Sequence, residues 1–278
     1  MLHNIERSGL LPGRFQVIFI STHTFHGENM TLPSEHETNH SSDLSQNESS
    51  VPLRAVIFDL DNTLFDFIAM KEKAIEAAAS AMIDAGLPLT PEEVSRRIFQ
   101  VYKMEGIEFQ QVFDTMLIDV LGRVDSKILA SGVVAYRRVR EAMLVSYPHT
   151  TSTLIALVKR GIKIAVVSDA PSIQAWLRLC YLQLQDLFDT VVTFDDTGKR
   201  KPSPQPFQLA LDRMEIEAEE ALMIGDWIDR DLLGAKSLGM RTAHARYGAE
   251  IAENKPDPLA DEVLDDIRDI LKLVDRWI

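Results

Sequence analysis

Ala55-Val56-Ile57-Phe58-Asp59-Leu60-Asp61-Asn62-Thr63 is an apolar run that ends in two carboxylates two residues apart. A short, wholly apolar run of this kind reads as a strand buried on both faces, as in a parallel sheet. Side chains two apart on an extended chain point the same way, so Asp59 and Asp61 leave the strand side by side. Like charges that close repel, so either one is protonated or a cation sits between them. A hard cation such as Mg²⁺ prefers oxygen ligands of this type.

Outward from this run, apolar stretches alternate with helical periodicity. Strands are predicted at 54–58, 162–167, 190–194, 221–224 and 240–245. Helices are predicted at 151–159, 172–182, 204–214 and 229–238, with a last one at 263–277. This alternation means βαβ units, hence an α/β fold: a Rossmann-like parallel sheet with helices on both faces. The first two strands lie about 100 residues apart, where a single crossover helix would suffice. Helical periodicity fills the interval, with helices expected at 71–85, after Thr90, at 109–121 and at 126–144. Thr90-Pro91-Glu92-Glu93 reads as an N-cap, a proline in the first turn and acidic residues that suit the helix dipole. The expected organisation is a core domain of residues 52–66 and 148–278, and an inserted helical cap of residues 67–147.

Residues 1–51 read as a disordered N-terminal extension. The stretch 34–50 is rich in Ser, Asn, Glu and His and has no Lys or Arg, so it has little apolar surface to bury. Five of the seven histidines (His3, His23, His26, His36, His40) fall in this extension without regular spacing. The chain of 278 residues is 46% hydrophobic and carries a net charge of −13, which argues against general nucleic-acid binding. No apolar run approaches the ~20 residues of a membrane span. The single cysteine, Cys180, rules out an internal disulfide and is read as a small apolar helix residue. The expected location is the cytoplasm.

Ligands of open parallel sheets bind outside the carboxyl ends of the strands. Strand one delivers Asp59, Asp61 and Thr63 to that edge, and strand two delivers Ser168 and Asp169. Strand three is followed by Asp195, Asp196 and the run Lys199-Arg200-Lys201-Pro202, and strand four by Gly225-Asp226-Trp227-Ile228-Asp229-Arg230-Asp231. Any one of these is ordinary turn chemistry. Four strands discharging polar residues at one edge are hard to explain as turns.

The set resembles the haloacid dehalogenase-like hydrolase superfamily, whose members are mostly Mg²⁺-dependent phosphatases. The D-x-D-x-T motif matches Asp59, Asp61 and Thr63. The strand-end Ser or Thr matches Ser168, the lysine before proline matches Lys201, and G-D-x-x-x-x-D matches Gly225, Asp226 and Asp231. The stretches 225–239 and 131–136 are similar to an archaeal branch of small-phosphate phosphatases, one of whose activities is hydrolysis of glyceraldehyde 3-phosphate. The resemblance implies that Asp59 attacks phosphorus and that Asp61 protonates the leaving alkoxide and later deprotonates water. It implies Mg²⁺ on Asp59, the Asp61 backbone carbonyl and Asp226, with Ser168 and Lys201 holding the phosphoryl oxygens. Asp231 would steady the metal shell or Lys201, Gly225 would support it, and Thr63 would fix the loop through its hydroxyl. The implied substrate is a small phosphorylated metabolite, with specificity set by cap side chains such as Lys103, Arg137 or Arg138.

Several residues have plainer readings. Lys199, Arg200 and Lys201 form a run that is usually a solvated face; Pro202 singles out Lys201, with Lys199 as the fallback. Asp229 reads as an N-cap for the next helix. Trp227 reads equally as a pocket wall or as packing, and His149 and His244 read as structural. A dehalogenase lacks an acid two residues after its nucleophile, so Asp61 argues against that activity. A phosphomutase on the same fold and a non-catalytic phosphate-binding regulatory protein stay open as alternatives.

Overall fold

The computed structural model describes residues 51–249 and 257–278, so residues 1–50 of the expected disordered extension lie outside the described residues. Strand β1 (Ala55–Phe58) sits in a six-stranded sheet with β2 (Lys163–Val167), β3 (Thr190–Val192), β4 (Ala221–Gly225), β5 (Arg241–Ala245) and β6 (Glu262–Leu264). The spatial order is β3-β2-β1-β4-β5-β6, and each neighbouring pair is parallel. The strand order reverses between β1 and β4, which opens the crevice where such sheets bind ligands. Phe58 is in register with Val166 on one side and Ile224 on the other. That register levels the residues that follow β1, β2 and β4.

Alternation along β1 explains why its sequence is wholly apolar. Val56 and Phe58 belong to a cluster on one face, packed with Leu154, Leu179 and Ile270. Ala55 and Ile57 belong to a second cluster with Phe207, Leu211 and Met214 on the other face. The helices supplying those faces are α5 (Thr150–Lys159), α6 (Ser172–Tyr181), α8 (Gln205–Met214) and α10 (Asp269–Trp277). Two short helices, α7 (Phe194–Thr197) and α9 (Leu233–Lys236), lie in the loops.

Between β1 and β2 run α1 (Phe67–Asp84), α2 (Pro91–Glu105), α3 (Val112–Leu121) and α4 (Ser126–Met143). They share a third apolar cluster that includes Ile75, Met82, Ile98, Phe113 and Leu117. Helix α2 begins with the expected Thr90 N-cap, which forms a full capping box: Glu93 N donates to Thr90 Oγ1 at 3.3 Å, and Thr90 N donates to Glu93 Oε2 at 3.0 Å. Gly132 on α4 lies against α1, where a Cβ would come within 2.1 Å of Met82 Cε. Among the described residues no helix is long and apolar enough to cross a membrane.

Three expectations need correction. The last helix starts at Asp269, because Val263 and Leu264 instead pair with His244 and Ala245 as the edge strand β6. Phe194 is not in β3; it opens α7, where Thr193 N donates to Asp196 Oδ2 at 2.8 Å. Asp229 is not a cap either. It is exposed inside a π-helical turn, Ile228–Leu232, whose cap position is Trp227.

Candidate active site

The first loop is shaped by Asn62. Its backbone is left-handed (φ +60), and its Oδ1 accepts from Phe67 N at 3.0 Å and Ile68 N at 3.2 Å, the first turn of α1. Asp66 then caps that helix by accepting from Ala69 N at 2.8 Å. Thr63 is buried, but its hydroxyl has no hydrogen-bond partner among the described residues. Its carbonyl instead accepts from the Tyr247 hydroxyl at 2.9 Å. The loop is therefore held by the Asn62 side chain and the Thr63 backbone, not by the Thr63 hydroxyl as expected.

Asp59 is 7% exposed at the end of β1, where its N–H donates to Ile224 O of β4 at 2.8 Å. The Lys201 ammonium, 5% exposed, donates to Asp59 Oδ1, pairs with Asp231 Oδ1 at 2.6 Å and donates to Val167 O at 3.0 Å. Three acceptors around a buried ammonium satisfy all of its donors. Lys199 is exposed, so the geometry selects Lys201 from the basic run. Asp169, set aside by the sequence reading, aims that run: its Oδ1 accepts from Lys201 N at 2.9 Å and its carbonyl accepts from Arg200 Nη1 at 3.0 Å. Ser168 is buried at the end of β2, and its Oγ accepts from Ala170 N at 3.2 Å.

The fourth-strand loop completes the cluster. One carboxylate oxygen each from Asp59, Asp226 and Asp231 fall within 4.8 Å of one another. Gly225 makes room for this: a Cβ there would come within 2.3 Å of Asp231 Oδ2. Asp231 Oδ2 also accepts from Trp227 N at 3.1 Å. Asp231 thus joins the acidic cluster directly, whereas the Asp61 side chain does not. His244 on β5 places Nε2 3.1 Å from Asp226 O, so a histidine read as structural supports this loop. Trp227 is exposed, with the Arg230 guanidinium 4.6 Å from its ring centroid.

Electrostatics follow from burial. Desolvation pushes Asp59 up to about 7, with Lys201 opposing it and Asp231 and Asp61 adding to it. Desolvation also holds Asp226 well above the ordinary carboxylate range, reinforced by Asp231 and Asp59. Burial alone would lower Lys201, but Asp231 and Asp59 more than offset it and hold the ammonium above its usual range. Three acids thus crowd one buried lysine. A hard divalent cation fits this oxygen donor set and would relieve the excess negative charge.

Asp61 faces elsewhere. Its Oδ2 accepts from Arg178 Nη1 on α6 at 2.7 Å, and its Oδ1 is buried without a hydrogen-bond partner among the described residues. Arg178 Nη2 also pairs with Glu108, in the loop between α2 and α3, and the guanidinium sits 4.6 Å from the Phe67 ring centroid. Desolvation raises the Asp61 carboxyl, Arg178 lowers it and Glu108 raises it. Arg178 was missed in the sequence, although it shares the buried face of α6 with Ala175 and Leu179. An arginine at a core position of an amphipathic helix was the available signal. The three cations expected to set specificity are all exposed; Arg137 lines a cavity beside Arg178, and Lys103 and Arg138 do not line that cavity. The cavity lysine is Lys71, on the buried face of α1. Cys180 lies on α6 as expected but is exposed.

The chain is similar to known proteins. Residues 53–239 match the family model described as haloacid dehalogenase-like hydrolase. The chain is similar to the glyceraldehyde 3-phosphate phosphatase of Methanocaldococcus jannaschii, with 34% identity over 222 residues, 80% of this chain and 97% of that one. The enzyme of the same name from Methanothermobacter thermautotrophicus is 36% identical over 213 residues, 77% of this chain and 93% of that one. Among solved structures, a HAD phosphatase from Thermococcus onnurineus superposes with a TM-score of 0.62 at 24% identity, covering 80% of this chain and 98% of that one. At that identity the superposition shows the fold alone.

Proposed function

The chain belongs to the haloacid dehalogenase-like hydrolases and is a phosphoric monoester hydrolase, and we propose that it releases phosphate from a small phosphorylated metabolite through an aspartyl-phosphate on Asp59. The observation that carries this reading is the convergence of Asp59, Lys201, Asp226 and Asp231 from three separate loops at the carboxyl edge of the sheet.

A carboxylate oxygen of Asp59 attacks phosphorus, an O–P bond forms that makes an acyl phosphate, and the bond from phosphorus to the leaving alkoxide breaks. Asp61 lies two residues on and gives the alkoxide its proton. In the second step Asp61 takes a proton from the water that cleaves the acyl phosphate, which regenerates Asp59 and releases phosphate. The Lys201 ammonium and the Ser168 hydroxyl stabilise charge on the phosphoryl oxygens. Asp59, Asp226 and Asp231, with the Asp61 carbonyl, would hold Mg²⁺. When bound, the ion supplies the positive charge that lets a carboxylate approach a phosphate anion. Helices α1–α4 act as a cap that keeps bulk water from the acyl phosphate.

The named relatives make glyceraldehyde 3-phosphate the first substrate to try. The test is turnover of p-nitrophenyl phosphate with and without Mg²⁺, then a panel of triose, sugar and acid phosphates. Mg²⁺-dependent phosphate release is expected. A chain that binds but does not turn over any of them would instead be a non-catalytic phosphate-binding protein.

A further inference from the structure

A cavity of about 400 Å³ opens between α1, α2, α4 and α6 and reaches Arg178, the residue that holds Asp61. Four cationic side chains line it, Lys71, Arg137, Arg140 and Arg178, against two carboxylates, Glu108 and Glu141. Both carboxylates are already engaged: Glu108 pairs with Arg178, and Glu141 lies 3.8 Å from Arg140. The lining therefore carries an excess of positive charge in a chain whose net charge is −13.

Lys71 is the unusual member. It is 7% exposed, on the same helix face as Phe67, Ala74 and Ile75. Its ammonium donates to Tyr136 Oη at 3.0 Å and Tyr102 Oη at 3.3 Å, and sits 4.5 Å from the Tyr102 ring centroid. It has no carboxylate partner among the described residues. Buried charges are ordinarily paired, and phenols and ring faces compensate an ammonium only in part. A methionine would fill the same space without desolvating a charge. Burial keeps the Tyr102 phenol protonated, so each phenol oxygen accepts from Lys71 and the pair still has an O–H to donate. Lys71, Tyr102 and Tyr136 together form a buried donor set that lacks an anionic acceptor.

We propose that this cavity binds a second anionic group of the substrate, a carboxylate, with Lys71 as its principal partner, so that small phosphorylated carboxylic acids are preferred over neutral phosphate esters of the same size. This rests on the phosphatase reading. The phosphoryl end would sit at Asp59 and the carboxylate at Lys71, with Arg178 between the two. Arg178 lines the cavity together with Lys71 and donates to Asp61 Oδ2 at 2.7 Å, so the cavity abuts the loop that carries Asp59.

The experiment compares 3-phosphoglycerate with glycerol 3-phosphate, which differ by the carboxylate, and uses p-nitrophenyl phosphate as a neutral control. Wild-type protein should favour the acid in kcat/KM. Lys71→Met should cut kcat/KM for the acid by about 10- to 100-fold, mostly through KM, the loss expected for a hydrogen bond to a charged group. The same variant should change glycerol 3-phosphate and p-nitrophenyl phosphate by less than about 3-fold, since neither reaches Lys71 with a charge. Lys71→Arg should restore part of the preference. Calorimetric titration of both ligands into Asp59→Asn protein gives the same comparison without turnover. Equal losses on all substrates, or a wild-type preference for glycerol 3-phosphate, would overturn the proposal. If wild type failed to turn over p-nitrophenyl phosphate, the phosphatase reading would fall, and the calorimetric comparison alone would decide the cavity.

Discussion

Replacing Arg178 with methionine removes the one cation that separates Asp61 from Glu108 while keeping the length and apolar stem of the side chain. In the structure Arg178 Nη1 lies 2.7 Å from Asp61 Oδ2, Nη2 pairs with Glu108, and the guanidinium packs 4.6 Å from the Phe67 ring centroid. One consequence is structural. Removing one partner of a buried pair typically costs about 3–5 kcal/mol, and because the Asp61 side chain keeps 24% of its exposure the low end, about 3 kcal/mol, applies. The second consequence is chemical. With Oδ2 held by Arg178, Oδ1 is the oxygen left to carry the proton for the leaving group. Without Arg178 the carboxyl is free to rotate and is pushed by Glu108. General acid catalysis is worth about 10²–10⁴-fold, so a misplaced acid should cost an alkyl phosphate about 100-fold in kcat. p-Nitrophenyl phosphate leaves as a stable phenolate and barely needs the proton, so its kcat should fall by less than about 5-fold. The assay is kcat for both esters with wild type, Arg178→Met and Asp61→Asn, alongside thermal unfolding. Arg178→Lys, a point charge in place of a fork, should recover only part of the alkyl activity. An equal loss on both esters would refute the positioning role and leave Arg178 as a purely structural clasp.

Chelation with EDTA should abolish turnover and added Mg²⁺ should restore it, because Asp59, Asp226 and Asp231 crowd their oxygens within 4.8 Å; full activity after exhaustive chelation would remove the metal assignment. Asp59→Asn should eliminate phosphate release while leaving the circular dichroism spectrum unchanged, and a variant at wild-type rate would exclude Asp59 as nucleophile. Gly225→Ala should displace Asp231, whose Oδ2 would lie 2.3 Å from the new Cβ, and so loosen Lys201; activity should fall together with about 1–3 kcal/mol of stability. Gly248→Ala should be worse, since its Cβ would meet the Asn62 carbonyl at 1.6 Å and backbone cannot swing aside as a side chain can; an unchanged melting temperature would show that the first loop tolerates displacement.

Strands β1, β2 and β4 were legible because each is buried on both faces and reads as an apolar run, whereas β3 (Thr-Val-Val) and β5 (Arg-Thr-Ala-His-Ala), equally buried, were placed by the alternation of strands and helices. The missed strand, β6, has three residues, and its middle one, Val263, is exposed. It exists because its backbone pairs with β5, and no local period records a tertiary pairing of that kind. The loop residues were legible for a related reason. Four strand ends lie at one edge, so polar residues there converge whatever the helices do. Thr63 shows the limit of this inference: its place was found but the bonding atom was not, because a hydroxyl and a carbonyl on one residue have the same sequence.

The charged residues that were missed have a common cause. Lys71 and Arg178 occupy core-facing positions of α1 and α6, and each is explained only by partners far along the chain, Tyr136 and Asp61. The helical period alone places both on an apolar face, where a cation has to be compensated or it would not stay buried. The same reasoning distinguishes Lys201 from Lys199. Two lysines in one run are equivalent until the fold brings two carboxylates and a strand carbonyl to one of them, and the buried, fully bonded ammonium is then the one that belongs to the site. A charge on a predicted core face is therefore a question about a distant partner. For Arg178 the partners are the acids Asp61 and Glu108; for Lys71, whose hydrogen-bond partners among the described residues are two phenols, the lack of a carboxylate among them points to what the cavity binds.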